Sequence, residues 1–233
     1  MNIIRVIFCY KIGSFAMRSE RIFQFKSEDR ELEVIILEVV DPQYGLFTWP
    51  SAVILAQYVW YNRNVLKNKQ IIELGSGTAL PGVVAALCGA NVTLTDGEQF
   101  PDCLKNCQET CKANGLKNVK TTALTWGNFS KNFLELPTFD IILGSDCFYD
   151  PKDFDDILAT VAYLLERNPK GEFWTSYQER SADWSIEILL KKWNLGCQLV
   201  SLQTFGGDDE NIAGSNLVSN HSIQLLVITH PVN

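Results

Sequence analysis

The chain has 233 residues, near the upper end of one α/β domain, with 46% hydrophobic and 20% charged residues, the balance of a globular protein with a sizeable core. Its net charge of −7 does not suit a protein that neutralises phosphate backbones and favours a basic partner at long range. No run reaches the roughly 18 unbroken apolar residues of a membrane span, and the odd count of seven cysteines at long spacings does not make a secreted disulfide framework, so a reducing, cytosolic or nuclear compartment is expected.

The opening "MNIIRVIFCYKIGSFAM" is apolar, but Arg5 and Lys11 interrupt it and no small-residue cleavage site follows, so it reads as an extension (1–17) rather than a signal peptide. "RIFQF" (21–25) and "LEVIILEVV" (32–40) read as a hairpin ahead of the core. Pro50 suits the first turn of a helix, where its missing N–H costs little, and "SAVILAQYVWYN" continues that helix.

"KQIIEL" (69–74) is a short buried strand, followed by a glycine turn and by "PGVVAALCG", apolar all round and therefore a buried helix. "NVTLTD" (91–96) is the next strand. "PDCLKNCQETCKANG" is a helix ending at Gly115. In it Cys103, Cys107 and Cys111 recur every four residues, which puts them on one face. They lack the close C-x-x-C pairs of a zinc site, so a buried face of small apolar thiols is expected and no metal is.

"VKTTALTW" (119–126) and "FDIILGSD" (139–146) are strands apolar enough for a parallel sheet. "PKDFDDILATVAYLLER" is a helix with apolar residues at 154, 157, 158, 161, 164 and 165. Its acids Asp150, Asp153, Asp155 and Asp156 read as a solvated first turn. "GEFWTSYQ" is a strand and "SADWSIEILLKKWN" a helix with Ser181 as N-cap. "CQLVSLQTF" (197–205) and "SIQLLVITH" (222–230) are two strands with loop chemistry between them, most simply antiparallel. Five strand–helix units and a strand pair make one doubly wound, mostly parallel, seven-stranded α/β sheet.

In "IELGSGTAL" Gly75 and Gly77 follow a strand and open a helix, as in a βα turn whose backbone approaches a ligand. Asp96 ends the next strand about 20 residues on, where a carboxylate meets ribose hydroxyls. That much suits a dinucleotide too. Leu80, however, stands at the third glycine of G-x-G-x-x-G, Glu73 precedes the turn, and no second domain is evident.

The pattern resembles the seven-strand, Rossmann-like class of S-adenosylmethionine-dependent methyltransferases, over roughly residues 21–230. "YGLFTWPSAVILAQYVW", "ALTWG" and "GSDCFY" are similar to a branch of that class that includes protein lysine methyltransferases and a histone arginine methyltransferase of nucleus and cytoplasm. The resemblance implies a single methyltransferase domain over 18–233 and S-adenosylmethionine as cofactor. It implies that Trp49, Glu73, Gly75, Ser76, Gly77, Asp96, Trp126 and Ser145 hold that cofactor, and that Asp146 and Tyr149 serve the acceptor. The expected activity is arginine N-methylation of a basic protein such as a histone tail, in nucleus and cytoplasm, without direct nucleic-acid or membrane binding. The alternatives are lysine N-methylation, or a methyltransferase fold kept as a binding module.

The class often has a third glycine where this chain has Ala79, which alanine fills if its φ stays negative. Trp49 and Trp126 have an equal claim as core aromatics, Tyr149 as a strand-end cap and Asp146 as a helix cap. An arginine acceptor stays charged and needs carboxylates to orient it, for which Asp146 and Glu179 are candidates, with Tyr149 packing on the acceptor. The paired glutamates and Thr-His-Trp of familiar arginine methyltransferases are missing: the loop reads "DCFYDPKDF" and the two histidines are His221 and His230. An N/D-P-P-Y/F motif for base amino groups and a G-x-S-x-G elbow for hydrolysis are also missing.

Overall fold

The computed structural model describes residues 4–7, 17–40, 44–178, 180, 185–219 and 221–231. Ser181 and Glu179, expected as a helix cap and an acceptor ligand, lie outside the described residues. The chain opens with a small antiparallel sheet of β1 (Ile4–Ile7), β2 (Met17–Lys26) and β3 (Glu31–Val40). The expected hairpin is β2–β3, in a register that sets Phe23 opposite Val34 and Phe25 opposite Leu32. Part of the expected extension supplies β1, which pairs with β2 from Ile4–Arg21 to Ile7–Arg18.

Next come α1 (Pro50–Tyr61), β4 (Gln70–Glu73), α2 (Leu80–Leu87), β5 (Asn91–Asp96), α3 (Pro101–Ala113), β6 (Lys120–Ala123) and the single turn α4 (Lys131–Leu134). The second half is β7 (Ile141–Ser145), α5 (Phe154–Arg167), β8 (Glu172–Gln178), α6 (Glu187–Lys192), β9 (Gly196–Val200) and β10 (Ile223–Thr229). The large sheet has the order β6-β5-β4-β7-β8-β10-β9. β10 is antiparallel to both its neighbours, and the other pairings are parallel.

Side chains alternate across the sheet. Ile71 enters the core shared with α1, α2 and the hairpin, and Ile72 enters the core under α5 and α6. Both strand ends that carry the glycine turn and Asp96 are thus clamped between packed layers.

Three expected elements are shorter by four residues or more than the sequence suggested. β6 stops at Ala123, because Thr125–Asn128 turns back through Gly127 at φ 71°. β9 stops at Val200. Leu202–Phe205 forms a 3-10 turn that buries Phe205 against Tyr58, and Gln57 Nε2 donates to the Phe205 carbonyl at 3.0 Å. The helix expected over 181–194 is described from Glu187 to Lys192.

Cys103, Cys107 and Cys111 are buried, as a thiol face requires. On a neighbouring face of α3, Asn106, Thr110 and Asn114 meet the open edge of β3. Asn114 Oδ1 accepts from the Ile35 N–H at 2.9 Å, and its Nδ2 donates to the Ile35 carbonyl at 2.6 Å. Thr110 Oγ1 accepts from the Leu37 N–H, and Asn106 Nδ2 donates to the Leu37 carbonyl. Three side chains one turn apart thus take the place of a missing neighbouring strand.

Candidate active site

A cavity of about 640 Å³ opens at the carboxyl ends of β4, β5 and β7, where an open α/β sheet takes its ligands and within the usual size of a small-molecule site. Of the residues singled out from sequence, Trp49, Gly75, Ser76, Gly77, Asp96, Trp126, Ser145, Asp146 and Tyr149 all line it.

Its floor is the turn after β4. Gly75 and Gly77 have φ of 61° and 51°, a region closed to most side chains. A Cβ on Gly75 would lie 2.9 Å from the Trp126 ring, and one on Gly77 would lie 2.9 Å from the Gly45 carbonyl oxygen. The glycines therefore let an indole and a loop backbone close on the turn. Ser76 ties β4 to β5: its hydroxyl donates to the Glu73 carbonyl at 3.3 Å and accepts from the Thr95 N–H at 3.0 Å. Ala79 departs from expectation. Its φ is 67°, so the alanine sits in the left-handed region, a strain its complete burial in the core holds in place.

Asp96 accepts from the N–H groups of Gly77 (2.9 Å) and Gly97 (2.8 Å) and faces the cavity. Burial pushes its carboxyl above the usual range, and the two N–H bonds pull it back. Glu73 does not line the cavity, contrary to the expectation of direct contact. It is fully buried beneath the turn, where Oε2 accepts from the Gly82 N–H at 3.1 Å and Oε1 meets no hydrogen-bond partner among the described residues. Burial raises it to about 8. A Cβ on Gly82 would collide with this carboxylate and with Leu94, so α2 can sit on Glu73 only through glycine. The acid therefore braces the turn from below.

The walls come from more distant segments. Trp126 sits in a turn whose Gly127 N–H donates to Thr160 Oγ1 on α5 at 2.9 Å. Trp49 stands at the entrance of α1, edge-on to Phe47 with ring centres 5.5 Å apart. Thr48 between them is held by Glu38 Oε1 at its N–H (3.1 Å) and by Thr78 at its hydroxyl (3.0 Å). Phe47, Trp49, Phe100 and Tyr149 leave a rim of partly exposed aromatic surface.

Asp146 does not cap a helix. It adopts φ 52° at the end of β7, and Asp150 caps the turn that leads into α5. Among the wall residues that sequence reasoning missed, Asp153, Asp156, Arg180 and Cys103 carry titratable or charged groups. Asp153 and Asp156, taken for a solvated turn, face the cavity, and burial raises the Asp153 carboxyl. Their i, i+3 spacing was the signal, because it puts both on one side of the helix entrance. Arg180 and Cys103 had no local signal. Burial drives the Cys103 thiol up to about 12, so it stays neutral.

A seven-stranded sheet with one reversed strand, carrying a glycine turn and a strand-end acid over one cavity, is the architecture of Rossmann-like methyltransferases. The fold is similar to that of the ribosomal protein L11 methylase of Lactobacillus delbrueckii subsp. bulgaricus, at a TM-score of 0.55 and 16% identity over 79% of this chain and 80% of that one. The chain belongs to the lysine methyltransferase family, whose model matches residues 28–187. It is 51% identical to the histone-arginine methyltransferase METTL23 of Xenopus laevis over 90% of this chain and 92% of the relative. It is 48% identical to the human protein of that name over 79% of this chain and 97% of the relative.

Proposed function

We propose that this methyltransferase transfers a methyl group from S-adenosylmethionine to an arginine side chain of a basic protein such as a histone tail. The name carried by relatives about half identical in sequence supports the acceptor. The observation that carries the reading is the charge of the cavity wall: Asp96, Asp146, Asp153 and Asp156 face one cation, Arg180, among the described lining residues. A guanidinium keeps its charge at any working pH and is held by carboxylates in a fork. A lysine ammonium, near 10.4 when free, must lose its proton before it can attack, which a ring of carboxylates opposes.

In this reading the glycine turn and Asp96 take the cofactor, the aromatic rim packs on the acceptor's stem, and the acids aim one guanidinium nitrogen at the methyl carbon. S-adenosylmethionine held by the glycine turn and Asp96 would supply an electrophilic methyl to that nitrogen and leave as S-adenosylhomocysteine, and the nitrogen's proton would pass to a wall carboxylate or to water. Positioning of this kind supplies much of the acceleration in such displacements. The acidic wall also suits a basic partner, and the histone reading brings with it a working place in nucleus and cytoplasm, checked by imaging the tagged chain.

The test is transfer of labelled methyl to histone-tail peptides that keep either only their arginines or only their lysines. Label on the arginine set is expected. Label on lysine alone would replace the acceptor with the one in the family's description. No label, with cofactor bound, would favour a binding module.

A further inference from the structure

Asp146 has only 10% of its side chain exposed, and Arg180 reaches back to it from beyond β8. Arg180 Nη1 donates to Oδ1 at 3.0 Å and Nη2 donates to Oδ2 at 2.6 Å. This is the parallel two-bond fork in which arginine grips a carboxylate. Both residues line the cavity. An acceptor arriving from outside therefore meets a carboxylate whose two oxygens are already engaged. The group that engages them is itself a guanidinium.

We propose that Arg180 acts as an internal competitor that occupies the guanidinium fork of Asp146 and gives it up to an arginine from another chain. An incoming guanidinium replaces two charged hydrogen bonds with two of the same kind, so the exchange is nearly balanced. An ammonium is a point charge that does not span both oxygens in one plane, so the same exchange with lysine runs uphill. Arg180 thus lowers the affinity for every cationic acceptor by the same factor, while the preference for arginine stays with the Asp146 fork itself. The proposal rests on the reading that the acceptor is recognised at Asp146.

A purely structural tie has the opposite sign. If Arg180 only supported Asp146 in its left-handed backbone, removing it would weaken acceptor binding. As a competitor, its removal strengthens binding.

The experiment is calorimetric titration of two peptides into the full chain saturated with S-adenosylhomocysteine. The peptides share a Gly/Ser/Ala sequence and differ in a single arginine or lysine. Wild type is compared with Arg180→Lys and Arg180→Ala, and melting curves with cofactor product check the fold. For Arg180→Ala the arginine-peptide Kd should fall roughly tenfold or more, the scale of a charged hydrogen-bond pair regained. Arg180→Lys should lie between, and the lysine peptide should gain by the same factor as the arginine peptide. If Arg180→Ala does not fold, Arg180→Lys must still bind the arginine peptide more tightly than wild type.

Unchanged or weaker binding in the variants, or no binding by any of the three, overturns the proposal. Methyl transfer by wild type to the arginine peptide is read separately. Transfer without tighter binding by the variants removes the competitor alone. Tighter binding without transfer removes arginine methylation and leaves the competitor.

Discussion

Glu73 and Asp96 end neighbouring strands, yet burial gives them different work. Asp96 keeps contact with the cavity through its two N–H bonds, whereas Glu73 is sealed under α2 and raised to about 8. The folded chain therefore keeps a proton that the unfolded chain loses near 4.5. This group contributes fully below about pH 4.5, its contribution falls as the pH rises toward 8, and it is flat above that. Glu73→Gln keeps an acceptor for Gly82 and removes the titration. Urea midpoints measured from pH 5 to 8 should decline for wild type and decline less for the variant. Parallel curves would place the orphaned oxygen beside an unseen partner. The glycine turn and Asp96 were legible in sequence because a βα turn is local chemistry. The sealing of Glu73 was not, because it depends on how closely α2 packs through Gly82.

Helix α3 shows what periodicity reveals and what it hides. The four-residue spacing of its cysteines announced a buried face. The same spacing in Asn106, Thr110 and Asn114 announced nothing, because polar residues on a helix usually meet water. Their partner is a strand edge near residue 35, which no local window contains. Asn114→Ala should strand an N–H and a carbonyl at Ile35 and cost about 1–3 kcal/mol. Amide exchange at Ile35 should quicken with it. Loss of stability without faster exchange there would assign the effect to helix α3 alone. The shortened β6 and β9 have a related cause: β-rich sequence continues past each strand end, but a left-handed glycine and a buried aromatic turn the backbone away.

At the scale of the molecule, alternation of strands and helices carried the sheet, and the final strand pair carried its reversed member. The cavity walls were less legible, since they gather from residues 45 to 180 and no single stretch displays them. Glu38 of the small sheet reaches the rim of this cavity. Glu38, which also meets Arg21 at 3.5 Å, holds the N–H of Thr48 between the rim residues Phe47 and Trp49. Glu38→Ala should leave that buried N–H unpaired, at about 1–3 kcal/mol, and weaken S-adenosylmethionine binding several-fold by calorimetry. Glu38→Gln should stay close to wild type. Equal affinities in all three would uncouple the two sheets.

The side-chain ladder on β3 also bears on how the chain leaves the ribosome. Ile35 and Asn114 are 79 residues apart, an interval of roughly 4–16 s at the usual pace of translation. During it the hairpin has Phe23, Phe25, Val34 and Ile36 ready to bury, but α2 begins only at Leu80 and α3 only at Pro101. The nascent chain thus spends its first seconds as a sticky, open-edged ribbon that a chaperone would recognise. Stalled chains ending before α3 should hold such a chaperone, and chains that include Asn114 should release it.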